Sequence, residues 1–177
     1  MTGYQHLAVR TSHERVVAVL AAGVTGCPPG AQAQVGPTED RWCGVIPSGG
    51  ADAAALAATL SDGLGAPVLW VRVDAALDVR LYVFGEEIVA YRSPDVPGPA
   101  AGLAAVGVVE RLIDATDARA LPGDLARVLV ADYPDPGDRY HHFVTVLGLP
   151  GYLVGAGGEA GQGSAPPGFV VVTGGER

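Results

Sequence analysis

Residues 67–91 read PVLWVRVDAALDVRLYVFGEEIVAY, and aliphatic side chains alternate there with polar or aromatic ones at a period of two. That period is the pleat of a β-strand and is out of step with the 3.6-residue turn of a helix. Three antiparallel strands are predicted, "PVLWVRVD", "LDVRLYVF" and "EIVAY", with Gly85-Glu86 as the two-residue turn of the second pair. That turn sets Phe84 opposite Glu87, Tyr82 opposite Val89 and Arg80 opposite Tyr91. Leu69, Val71, Val73, Leu81, Val83, Ile88 and Ala90 then share an aliphatic face that needs a cover of helices.

The other face carries Trp70, Arg72, Arg80, Tyr82 and Tyr91, the residue types that dominate binding hot spots, and this is the candidate recognition surface. The competing expectation is that the C-terminal helices or a second copy of the chain cover it.

Around these strands the order of elements follows from local signals. Residues 4–10 make a first strand, and Thr11 with Glu14 three residues on forms a capping box for a helix that buries Val16, Val17, Leu20 and Ala21 and stops at Gly23. "AQAQV" and "RWCGVI" flank the polar turn "GPTED" as a hairpin, and Ala53, Leu56, Ala57, Leu60 and Leu64 recur at helical spacing. The resulting β-α-β-β-α-β order is ferredoxin-like, extended by a hairpin, and the class is α+β.

Pro- and Gly-rich residues 93–102 mark a boundary between an α+β sheet lobe (1–95) and a smaller helical lobe (96–177), unless the two form one continuous domain. Val106, Val109 and Ile113 indicate one helix, while Asp124 and Asp138 are candidate caps for two more. The last of these buries Tyr140, Phe143, Val144 and Leu147. "GYLV" reads as a short strand entering a Gly-rich loop, and "FVVVT" as a terminal strand.

The succession "WCGVIPSGG", "LSDGLGAPVLWVRV", "LYVFGEEIVAYRSPD" and "LGLPGYLVG" resembles an uncharacterised family of small bacterial α+β proteins. The resemblance implies a fold but no activity, and carries over no site residue.

Composition removes several chemistries. The net charge of −8 repels phosphate backbones and anionic headgroups, so neither nucleic acid nor membrane is an expected partner. All 11 basic side chains are Arg, which excludes a P-loop ammonium, a Schiff base and a lysine general base. Absence of Asn removes N-glycan acceptors. The N-terminal residues have no signal-peptide pattern, and a cytoplasmic location is expected. Cys27 and Cys43 lack a metal or redox spacing and read as reduced, part-buried thiols.

Among side-chain clusters, "DYPDPGDRYHH" is the densest. Asp138 and His142 stand at i, i+4 and could reach one metal ion, with Asp135 or His141 as further ligands, which would make a metal-dependent enzyme. The alternative is that Asp138 caps a helix whose histidines face solvent.

Gly155, Gly157 and Ala160 match G-x-G-x-x-A, but Pro166-Pro167 follow where a helix is required, so a surface loop is expected. Gly49-Gly50 after a strand could hold an anion on backbone N–H groups, against helix capping by Ser48 or Asp52. "IPSGG" is not a nucleophile elbow, and His6 and His13 read as hydrogen-bonded structural residues. Adjacent Glu86 and Glu87 point to opposite faces and cannot share acid–base work.

The function expected is a non-enzymatic protein-interaction or ligand-binding module with no cofactor. Its partner would be another protein or a second copy of itself, with a small-molecule carrier as the further alternative.

Overall fold

The computed structural model describes residues 3–23, 32–48, 51–93, 99–117, 120–154 and 167–173. Cys27, Gly49-Gly50, the Gly155–Ala160 motif and residues 94–98 of the Pro/Gly joint lie outside the described residues.

Within them the chain is α+β, with strands β1 (Tyr4–Val9), β2 (Gln32–Glu39), β3 (Trp42–Pro47), β4 (Val68–Val73), β5 (Leu77–Val83), β6 (Glu86–Arg92) and β7 (Val170–Thr173). The helices are α1 (His13–Ala21), α2 (Ala53–Leu64), α3 (Pro99–Thr116), α4 (Pro122–Val130) and α5 (Pro136–Leu147). The strands form one antiparallel sheet in the order β6-β5-β4-β1-β3-β2-β7. No helix among the described residues is long and apolar enough to cross a membrane.

Alternation sorts each strand between two cores. Leu7, Val9, Val35, Val45 and Val68 pack beneath α1 and α2, which contribute Val16, Leu20, Leu56, Leu60 and Leu64. On the reverse face Leu69, Val71, Val79, Leu81 and Val89 meet Leu112, Leu125, Leu129, Tyr140 and Phe143 of α3, α4 and α5. Residues 1–95 and 96–177 therefore share this second core, and β7 returns to pair with β2.

Helix boundaries follow the side chains that can satisfy free backbone groups. Asp52 caps α2 by accepting from Ala54 and Ala55 N–H, and Gly65 closes it at φ 58°. For α1 the N-cap position is Ser12, one residue beyond the predicted Thr11; its side chain makes no capping hydrogen bond, and the His13 N–H donates to Thr38 Oγ1 instead. For α5 it is Asp135, not Asp138, because Pro136 occupies the first helical position and Asp135 accepts from Gly137 N–H at 2.6 Å. Asp124 lies inside the first turn of α4, behind the N-cap Leu121. "GYLV" forms a 3₁₀ turn over Gly151–Leu153 in place of the predicted strand.

The β5–β6 turn also differs from prediction. Phe84 and Gly85, both at positive φ (50° and 80°), form its tip, a primed turn whose twist matches the strands. A bulge at Ile88 then shifts the register, so Arg80 pairs with Ala90, Tyr82 with Glu87 and Val79 with Tyr91. Pro37 interrupts β2 in the same way, where pairing with β3 slips between Val35 and Thr38.

Candidate functional site

The structure divides the five residues of the proposed recognition face. Trp70 and Tyr82 are buried in the core beneath α1 and α2, at 7% and 6% exposure. Tyr91 lies on the opposite face, where its hydroxyl donates to the Leu129 carbonyl at the end of α4. The bulge at Ile88 is the reason, since one extra residue carries the following side chains across the sheet.

Arg72 and Arg80 remain on the surface, and each is engaged within the chain. Arg72 pairs with Asp74 at 2.6 Å. Arg80 pairs with Glu87 at 3.0 Å and lies 5.0 Å over the Trp70 ring. No open platform of rings is left there.

Asp135, Asp138, His141 and His142 also separate in role. Asp135 caps α5, and the His142 ring shares a 2.9 Å hydrogen bond with the Tyr133 hydroxyl. Among the described residues, no group of three or more His, Cys, Asp and Glu side chains is gathered so as to hold a metal ion. Nearby Arg139 is buried: its guanidinium donates to the Leu129 and Ala131 carbonyls and stacks on Tyr133.

A different cluster emerges where β1 runs into α1. Arg10, Thr11, Ser12 and Arg15 come from that junction, Thr38 and Arg41 from the β2–β3 hairpin, and Gly65, Ala66 and Pro67 from the chain entering β4. Together they line a cleft of about 510 Å³. Three guanidinium residues and three hydroxyl residues face it, and no carboxylate residue lines it among the described residues.

That is unusual in a chain with 19 acidic and 11 basic residues. Elsewhere Arg92 pairs with Asp78 and Arg127 with Asp124, while Arg111 and Arg139 donate to backbone carbonyls. Here Arg10 (2.9 Å) and Arg41 (3.3 Å) share one oxygen of a single carboxylate, Asp117 Oδ2. Arg15 donates to the Leu64 carbonyl at the end of α2, and meets no carboxylate within ion-pair distance among the described residues.

The cleft is held by contacts distant in sequence. Thr38 Oγ1 accepts from the His13 backbone N–H at 2.7 Å, and the His13 ring Nδ1–H donates to the Gly36 carbonyl at 2.7 Å. Arg10 N–H donates to the Pro67 carbonyl. The Tyr152 hydroxyl accepts from Gly44 N–H and donates to the Pro37 carbonyl, both at 2.7 Å, pinning the hairpin that carries Arg41.

A Cβ at Gly36 or Gly44 would fall 2.7 Å from Tyr152 atoms, so both glycines make room for that ring. Burial raises the Tyr152 hydroxyl pKa well above its ordinary value, and the group stays a neutral donor and acceptor. Glu14 is fully exposed; its carboxyl is held below the usual range first by its own backbone N–H and then by the Ser12 hydroxyl.

Beyond the Arg10–Asp117–Arg41 trio lies a second cavity of about 380 Å³, lined by residues including Asp40, Trp42, Asp117 and Thr145. Arg41 lines both. No family model, curated protein or solved structure matches this chain.

The buried ionisable groups are remote from proton-transfer work. Cys43 has no exposed surface, and its thiol is pushed up to about 12, by burial first and then by Glu14. His6 is fully buried and pushed down to about 3 by desolvation. Arg10, Thr11, Ser12 and Arg15 lie within six residues of sequence, where Arg10 reads as a strand end and Thr11 as a cap, and nothing marks Ser12 or Arg15. Arg41 joins them only through the hairpin, and no local pattern announces it.

Proposed function

We propose that this chain is a non-enzymatic ligand-binding module whose Arg10/Arg15/Arg41 cleft takes an anionic group. The observation that carries the reading is the charge balance of the cleft: among the described residues three guanidinium residues line it with no lining carboxylate, in a chain of net charge −8. Guanidinium groups are charged at every physiological pH and present planar donor forks suited to carboxylate or phosphate oxygens. A volume near 510 Å³ lies within the range of small-ligand sites.

Binding without chemistry is supported by the lining itself. Arginine, serine, threonine, glycine, alanine and proline supply no group that exchanges a proton near neutrality. A small anion also fits the overall charge better than a nucleic acid, whose many phosphates the rest of the surface would repel. Arg72 and Arg80 are already paired with acids of their own, which makes the sheet face the weaker site for a partner protein.

The same reading extends to the scaffold. The β1–α1–β2–β3–α2–β4 unit has its strands in the order β4-β1-β3-β2 and both helices against one core, which supports a ferredoxin-like unit widened by β5, β6 and β7. Kinship with the small bacterial α+β family is proposed on the sequence segments alone and assigns no chemistry.

Thermal unfolding in phosphate and chloride at constant ionic strength tests the function. A saturable rise in Tm with phosphate is expected for the natural chain and not for an Arg10→Gln/Arg15→Gln variant. Equal rises in both would mark a general salt effect and remove the site.

A further inference from the structure

Resting on the anion-binding reading, the geometry points to a ligand class: a small organic phosphate monoester, whose phosphoryl group competes with Asp117 for Arg10 and Arg41. Arg10 and Arg41 share one carboxylate, and Arg15 meets none within ion-pair distance among the described residues, so guanidinium groups outnumber their paired acids at the cleft. A phosphate monoester carries about −1.5 to −2 at neutral pH and three acceptor oxygens, whereas a carboxylate carries one charge and two oxygens. Thr11 and Thr38 line the same opening, beside Ser12 whose hydroxyl is shared with Glu14, and a phosphoryl group has acceptors for guanidinium and hydroxyl donors together. The cleft also holds more than a bare phosphate ion, with Ala66 and Pro67 on its wall beside Gly65, so an organic portion has somewhere to lie.

Asp117 is the internal competitor. It stands just past the end of α3 in a left-handed conformation, φ 49°, that non-glycine residues adopt at a cost. Its side chain is 68% exposed and reaches Arg10 and Arg41 through one oxygen, Oδ2. A phosphoryl group in the cleft would draw the two guanidiniums toward itself and release Asp117 toward solvent. Removing the acid therefore strengthens ligand binding, while removing a guanidinium weakens it.

Isothermal titration with phenyl phosphate and with benzoate, which share a ring and differ in the head group, separates the two levels of the argument. At fixed ionic strength and pH 7.5, phenyl phosphate is expected to bind about tenfold or more tightly than benzoate. Asp117→Asn should tighten phenyl phosphate binding severalfold, and Arg15→Gln should weaken it severalfold with an unchanged circular dichroism spectrum.

Equal affinity for the two probes, or an Asp117→Asn variant that binds phenyl phosphate no better, overturns the phosphate class and its competitor while leaving an anion site. Saturable binding of neither probe, to the natural chain or to Asp117→Asn, overturns the anion-binding reading as well. So does binding that survives unchanged in Arg15→Gln.

Discussion

Acidification should find one weak point in the core, the imidazole of His6. It has no exposed surface, packs with the rings of Tyr4 and Tyr140 at 6.3 and 5.1 Å, and hydrogen-bonds through Nε2 to the Tyr140 hydroxyl at 2.6 Å. Nδ1 has no hydrogen-bond partner among the described residues, and desolvation lowers the pKa from 6.5 to about 3.

In the unfolded chain the ring takes up its proton near 6.5, earlier than in the folded one. The stability contributed by neutral His6 is therefore complete above 6.5 and is lost as the pH falls from there toward about 3. Each pH unit in that window costs up to about 1.4 kcal/mol, so reaching pH 5 removes about 2 kcal/mol.

Urea unfolding followed by far-ultraviolet circular dichroism, from pH 7.5 to 5, measures this if the natural chain is compared with His6→Gln. The carboxylates titrate in both proteins and cancel in the difference. Gln also keeps a polar group for Tyr140, so its uniform cost leaves the slope interpretable. The natural chain should lose about 2 kcal/mol more than the variant over that interval. Parallel curves would refute the reasoning and mean that His6 finds a proton-accepting partner when charged.

Three further outcomes are expected. Gly36→Ala should cost about 1–3 kcal/mol because the new methyl meets the Tyr152 ring at 2.7 Å, and most of that cost should vanish in a Tyr152→Ala background, measured as a double-mutant cycle by chemical denaturation. Phe84→Asn should stabilise the β5–β6 hairpin by about 0.5–1 kcal/mol, since Phe84 is 69% exposed at φ 50° and Asn tolerates that conformation better; a lower Tm would contradict it. In a Cys27→Ser variant, iodoacetamide at pH 8 should modify Cys43 about 100-fold more slowly in native buffer than in urea, because the thiol is inaccessible and held up to about 12.

Much of the scaffold was legible because its signals are local. The alternation through Val68–Val73 and Leu77–Val83 located two strands and placed Leu69, Val71, Val73 and Leu81 on one buried face. For α2 the sequence offered Ser48 or Asp52 as cap and Gly63 or Gly65 as stop, and the structure uses Asp52 and Gly65, a carboxylate and an αL glycine that satisfy free helix ends.

The Phe84-Gly85 turn was hidden because an aromatic residue in the left-handed region runs against the usual preference for Asn or Gly. The displaced turn keeps each side chain on its face, but the bulge at Ile88 moved Tyr91 to the other one, and burial of Trp70 and Tyr82 beneath α1 and α2 dissolved the rest of the predicted aromatic surface. The arginine cleft was harder to see, since Arg10, Arg41 and Asp117 meet across separations of up to 107 residues. Nothing local in "GYLV" shows that its tyrosine seats over two glycines of a hairpin more than 100 residues earlier.

The two-sided sheet has a consequence for synthesis. A ribosome that has released the chain only as far as Arg92 presents six of seven strands with their second face bare, and must add about 50 more residues before α5 can roof it. Strand β7, made last, closes onto β2, made among the first. Until then the nascent chain offers a sticky plank to any neighbour, and its maturation depends on how quickly the trailing half arrives.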